Sequence, residues 1–166
     1  MAKVKINIDD TRFIWRTNFS GDAERDNYGN PARKVSVVIP TEEQADRLRD
    51  MGVNVRCTKP RPGYEDEFEP TYYCDVKINM ESNYPPHIYL ITPNGRRVSM
   101  SEDTIGELDF IRIKNVCVQA NLYEQKKNPG KFSLYADVMY VEQDVDGDPY
   151  YSRYCNQEDV REDPED

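Results

Sequence analysis

The sequence predicts an all-β fold, a small barrel with one or two short helices and an acidic C-terminal tail. Three observations predict it. Apolar side chains alternate with period 2 in segment after segment, hairpin turn signals separate those segments, and negative charge is concentrated at the C-terminal end. The 166 residues fit one domain plus some tail, since domains run about 100 to 200 residues. Apolar residues are 37% of the chain against an average of about 45–50%, and 32% are charged, so much of it must be solvated.

Residues 3–8 (KVKINI) alternate cleanly. In residues 33–39, Val35, Val37 and Ile39 share one face and Lys34 and Ser36 the other, and Val53, Val55 and Cys57 repeat the pattern opposite Asn54 and Arg56. The clearest strand sets Tyr72, Cys74, Val76 and Ile78 against Tyr73, Asp75, Lys77 and Asn79. Residues 88–92 lead into Pro93-Asn94-Gly95-Arg96, a tight-hairpin signal, with residues 97–100 returning. The longest runs, 110–123 and 132–141, are joined through Lys127-Asn128-Pro129-Gly130-Lys131 as a second hairpin. One helix is expected over residues 42–51. Thr41 and Gln44 have capping-box spacing, Ala45, Leu48 and Met51 form an apolar stripe, and Gly52 suits the position after the end. A shorter helical turn is expected within 101–107, and residues 18–31 and 58–71 read as polar or proline-rich loops.

Such a set of short strands, hairpin links and one bridging helix predicts an OB-fold-like barrel with added hairpins; a jelly roll or other sandwich would carry the same pattern. The division expected is residues 1–141 as the barrel domain and 142–166 as a disordered acidic tail. Residues 142–166 hold 10 acidic and 2 basic side chains, whereas residues 1–141 hold 21 acidic and 20 basic, so the body is nearly neutral. An acidic total of -9 therefore does not exclude a nucleic-acid partner, because the excess sits in one separable segment.

The chain offers little catalytic chemistry. It has one histidine, His87, no Gly-x-Ser-x-Gly elbow and no Walker-type phosphate loop, so the expectation is a binding protein and not an enzyme. The four cysteines show no C-x-x-C spacing, which encodes no zinc site and leaves free thiols as the expectation in a reducing compartment. Asp144-Val145-Asp146-Gly147-Asp148 begins like a calcium loop but puts Pro149 and Cys155 where such a loop needs Gly and Glu. No metal or cofactor is expected. There is no apolar stretch of about 18–20 residues, so no membrane association is expected and the cytoplasm is the expected location.

Binding features are better represented. Single-stranded nucleic acid is held by aromatic platforms that stack on bases and by Lys and Arg that follow the phosphates. The chain has 12 Tyr, 5 Phe and 1 Trp interleaved with basic residues. Along residues 12–19 a strand sets Arg12, Ile14, Arg16 and Asn18 on one face and Phe13, Trp15 and Phe19 on the other. If that aromatic face points inward, only the arginines reach a ligand; if outward, Trp15 and Phe19 are platforms. Outward positions on neighbouring strands are Lys34, Arg56, Tyr73 and Lys77. Lys59, Arg61 and Tyr64 lie on the proline-rich loop, Arg96 and Arg97 at one hairpin tip, and Lys126, Lys127 and Lys131 at the other. Any one of these cations alone reads as solvated surface.

Arg16-Thr17-Asn18-Phe19-Ser20-Gly21, then Asn27-Tyr28-Gly29-Asn30, an alternating strand to Ile39, and a helix followed by Gly52-Val53-Asn54-Val55 resemble bacteriophage single-stranded-DNA-binding proteins. The resemblance implies an OB-type barrel that coats single strands during replication or recombination, without sequence preference and without a metal, in the host-cell cytoplasm. It also implies an acidic end that recruits replication or recombination proteins and competes with DNA for the groove. Here the acidic candidates are Glu158, Asp159, Glu162, Asp163, Glu165 and Asp166, and the chain ends without a terminal aromatic. A polyanion tethered this way competes at high effective concentration and is sensitive to salt. The alternative, from another class, is a phage structural or assembly β-sandwich making protein contacts; a homo-oligomer is compatible with either. A DNA mimic is disfavoured by the neutral body.

Overall fold

A computed structural model describes residues 4–25, 29, 31–60, 62–63, 66 and 69–144. Arg61, Tyr64 and all six acidic tail candidates lie outside the described residues. Among the described residues nine strands form one mixed sheet: β1 Lys5–Thr11, β2 Phe13–Asn18, β3 Lys34–Ile39, β4 Arg56–Cys57, β5 Tyr72–Lys77, β6 His87–Ile91, β7 Arg97–Met100, β8 Ile113–Glu124 and β9 Phe132–Gln143. The hydrogen-bonded path is β1-β8-β9-β5-β3-β2. Its two ends are halves of one segment, parted only by Arg12, whose carbonyl accepts from Val38 N at 2.9 Å while Thr11 Oγ1 donates to the Val38 carbonyl at 2.6 Å. The path therefore returns on itself. Merging β1 with β2 leaves five strands in ring order β1/β2-β3-β5-β9-β8, with β5 and β9 parallel and the other ring pairings antiparallel. This is a partly open barrel of OB type, not a sandwich.

One segment can serve two neighbours because it bends. Asp10 has φ 52°, and the β1 register slips between Ile8 and Thr11, the mark of a bulge that turns a strand at a barrel corner. The strongest alternation is where the sequence has it: Val35, Val37 and Ile39 of β3 and Cys74 and Val76 of β5 are buried and face Val116, Val118, Leu134, Met139 and Val141 of β8 and β9 in one core. Ile8, Phe19, Ile105 and Leu108 complete it. The added hairpin β6–β7 joins the far half of β9 through parallel pairing of β6.

Helix α1 (Glu42–Asp50) forms as its cap predicts, Thr41 accepting from Gln44 N at 3.1 Å, and it buries Ala45 and Leu48. Gly52 follows with φ 94°, and a Cβ there would lie 2.4 Å from the Gly130 carbonyl oxygen. Only glycine lets the helix exit meet the β8–β9 turn, where Phe132 N donates to the Gly52 carbonyl at 2.9 Å. Three expectations shift. Only Arg56 and Cys57 of residues 53–57 pair as a strand; the short helical turn is a 3-10 turn at Ile105–Phe110; and β9 runs past residue 141 to Gln143. Cys57, Cys74 and Cys117 are free thiols. Among the described residues no helix is long and apolar enough to cross a membrane.

Candidate nucleic-acid interface

The outer face of β2, β3, β5 and β4 gathers the aromatic and basic side chains. Its centre is Tyr73. Trp15 meets the Tyr73 ring edge-on with centroids 5.8 Å apart, and the Arg56 guanidinium lies 5.1 Å from the same ring. Arg56 reaches that ring because β4 pairs it directly opposite Tyr73. Trp15 reaches it because the backbone at Trp15 takes φ 65°, which interrupts the alternation of β2 and shifts its register against β3 between Ile14 and Asn18. Phe13 and Phe19 turn inward, 5.5 Å apart, while Trp15 stays 63% exposed.

Two residues along β5, Asp75 receives Arg56 Nη2 at 2.7 Å and Ser36 Oγ at 2.8 Å, with Lys34 Nζ at 3.8 Å. The carboxylate holds both cations over the sheet surface. Lys77 pairs with Lys34 across β3 and with Tyr135 across β9, and its ammonium lies 5.6 Å from the Tyr135 ring. Tyr135 in turn meets Tyr123 edge-on at 5.3 Å. Two concavities adjoin here. One of about 590 Å³ includes Lys34, Lys77 and Tyr135; the other, of about 650 Å³, takes in Lys77, Tyr135, Tyr84, Tyr123 and Lys127. The result is one face of rings and cations from Trp15 to the β8–β9 turn, with the Asp75 carboxylate at its middle. Flat rings offer stacking surface to any base and the cations offer charge to any phosphate, so such a track suits an extended single strand.

The chain matches, over residues 1–163, the family described as "Putative phage ssDNA-binding domain". The chain belongs to this family. Among solved structures, the C-terminally truncated single-stranded DNA-binding protein from bacteriophage Enc34 is similar in fold, with TM-score 0.50 and 10% identity over 87% of each chain. The gp2.5 single-stranded DNA-binding protein of bacteriophage T7 aligns over 92% of this chain and 94% of its own at TM-score 0.42 and 11% identity. No curated protein sequence matches the chain.

In this phage ssDNA-binding domain, the structure brings Trp15, Lys34, Arg56, Tyr73 and Lys77 together. Arg12 and Arg16 are exposed on the segment that carries Trp15, and Lys59 is exposed beyond β4. Arg96 and Arg97 stand elsewhere, on the β6–β7 hairpin, where Arg97 covers Tyr89 at 4.8 Å and Tyr89 stacks on Tyr140 at 5.2 Å. Two expectations are corrected. Phe19 is fully buried and is core, not a platform. Asn18 is 4% exposed and its amide organises the following turn: Oδ1 accepts from Gly21 N and Asp22 N, both at 3.0 Å, and Nδ2 donates to the carbonyls of Asp22 and Ala32.

That turn is locked by Asp109, whose fully buried carboxylate accepts from Thr17 Oγ1 at 2.7 Å, Phe19 N at 2.8 Å and Ser20 N at 3.0 Å and pairs with Arg25 at 3.3 Å. Sequence reasoning missed Tyr84, Tyr123 and Tyr135. Alternation within residues 132–141 sets Tyr135 opposite Leu134 and Ala136 and could have marked it as outward. Among the described residues no cluster of side chains could hold a metal ion.

Proposed function

We propose that this protein binds single-stranded DNA in phage replication or recombination, laying the strand along the outer face from Trp15 toward Tyr135 with little dependence on sequence. The arrangement of Trp15, Tyr73 and Arg56 carries the reading. A large, exposed indole beside a ring already backed by a guanidinium has no packing role to explain it, and each base stacked on such a ring is worth roughly 1–3 kcal/mol. Lys34, Lys77 and Arg56 supply phosphate contacts, so affinity falls with salt at a slope of about 0.7 per phosphate neutralised. The protein acts by binding and not by catalysis, in the cytoplasm of the infected cell. The acidic residues beyond Asp144 compete with DNA for this face and offer a docking segment to replication or recombination proteins.

Titration of Trp15 fluorescence with an oligo-dT strand at low salt tests the reading directly. Quenching that reverses as salt is raised is expected, and a chain lacking residues 145–166 is expected to bind more tightly. No fluorescence change and no mobility shift with the shortened chain at low salt would end the proposal.

A further inference from the structure

Among the described Phe, Tyr and Trp residues, only Trp15, Tyr84 and Phe110 are more than half exposed. Trp15 and Tyr84 belong to the face already described. Phe110, 77% exposed, ends the 3-10 turn Ile105–Phe110 and lines neither of the two concavities. A single exposed ring is ordinary on a protein surface, but this one has a fixed mounting. The Arg25 guanidinium lies 5.2 Å from the ring centroid. Arg25 is itself held: its Nε donates to the Thr17 carbonyl at 2.9 Å, its Nη2 donates to the Asp109 carbonyl at 3.4 Å, and the Asp109 carboxylate lies 3.3 Å away. Ile105 and Leu108 anchor the turn in the core, and Asp109 ties it to the end of β2 through Thr17, Phe19 and Ser20. A ring backed by a held guanidinium repeats the arrangement of Tyr73 and Arg56. It also stands close to Trp15. Thr17, whose hydroxyl touches Asp109, is two residues from Trp15, at most about 7 Å along the chain, and Phe110 directly follows Asp109.

We propose that Phe110 is a further base-stacking platform, which receives a nucleobase of the same strand that lies on Trp15. The assignment rests on the single-stranded-DNA reading and extends it: the strand does not begin at Trp15 but continues past the end of β2 onto the turn. Arg25 backs the ring and leaves most of its surface to the base. Arg16, exposed between Trp15 and Thr17, meets the phosphate that joins the two stations. The Asp109 carboxylate does not oppose this, because its charge is buried and matched by Arg25. Every base has a flat face, so a ring of this kind adds affinity without adding sequence preference. The fixed mounting serves the same end, since a ring that is already ordered loses little freedom when a base stacks on it.

The test titrates labelled oligo-dT against the full chain by fluorescence anisotropy, with Trp15 emission read in parallel. Phe110→Ala is expected to weaken binding by about fivefold or more, the low end of what one stacked base is worth, while Trp15 is still quenched at saturation. Phe110→Leu, which keeps an apolar side chain but has no ring face, is expected to lose as much, and Phe110→Tyr to stay within about twofold of wild type. The position is exposed, so all three variants should fold, and their melting temperatures check it. Wild-type affinity in both the Ala and Leu variants would overturn the platform and leave the ring as a cover over the Arg25–Asp109 pair. Affinity retained by Leu but lost by Ala would overturn it equally, since an apolar contact would then suffice without stacking. A wild-type chain that neither binds the strand nor shows quenching would instead remove the proposed function itself.

Discussion

Asp75 places a negative charge in the middle of a surface read as a phosphate track, and replacing it with asparagine measures what that charge does. A phosphate oxygen bound to Arg56 at a charge-assisted distance of about 2.8 Å lies roughly 6 Å from the carboxylate oxygen that Arg56 already contacts at 2.7 Å. Two unit charges that far apart repel by about 0.7 kcal/mol in bulk water and about 2.8 kcal/mol at an effective dielectric of 20. The Asp75 side chain is 28% exposed, so solvent keeps the repulsion toward the lower end, about 1 kcal/mol. Asp75→Asn should therefore tighten oligo-dT binding roughly fivefold at low salt. The gain should shrink as salt rises, because the Debye length contracts from about 30 Å at 0.01 M to about 10 Å at 0.1 M. Anisotropy titrations at three salt concentrations read this out. The melting temperature should barely move, since exposed ion pairs contribute about 0–1 kcal/mol. Unchanged or weaker binding at low salt would refute the reasoning and show that Asp75 serves mainly to hold Arg56 over Tyr73.

Other substitutions separate scaffold from surface. Gly52→Ala forces a Cβ into the Gly130 carbonyl at a φ that disfavours alanine, and urea unfolding should show a loss of about 2 kcal/mol or more. Asp109→Ala strips the partners from two backbone amides, a hydroxyl and Arg25, and should cost roughly 3 kcal/mol in the same assay. Phe19→Ala should cost about 3–5 kcal/mol while leaving oligonucleotide affinity per folded molecule unchanged, as expected of core. Burial pushes the Cys74 thiol up to about 12 from 9.0, with Asp75 adding to the rise. The unfolded thiol ionises first, so stability contributed by the protonated group is lost as pH climbs from about 9 toward 12, by at most about 1.4 kcal/mol per pH unit. Cys74→Ala should flatten the alkaline stability profile relative to wild type.

Much of the barrel was legible because its strands are half-buried: Val35, Val37, Ile39, Cys74 and Val76 alternate in sequence just as they alternate between core and surface. The helix was legible through Thr41 and Gln44, and both hairpins through Asn94-Gly95 and Pro129-Gly130. Ring closure was not, because it depends on one segment pairing with β8 across more than a hundred residues and then with β3, and no local pattern encodes that. At the site, Lys34, Arg56, Tyr73 and Lys77 followed from alternation alone. Trp15 did not. A left-handed backbone at a tryptophan is rare enough that no sequence rule anticipates it, and it reverses which aromatics point outward. Asn18 and Phe19 were misplaced for the same reason.

The bend that lets residues 5–18 serve both β8 and β3 ties display of the indole to completion of the ring. A chain that has paired β3 with β5 and β8 with β9, while its N-terminal segment still hangs free of the gap, owns most of its core and no finished platform. That last step joins partners distant in sequence, the kind of contact that forms slowly. Oligonucleotide present during refolding would therefore bind closed molecules more tightly than open ones, and the difference in binding free energy would hold a closed molecule against reopening.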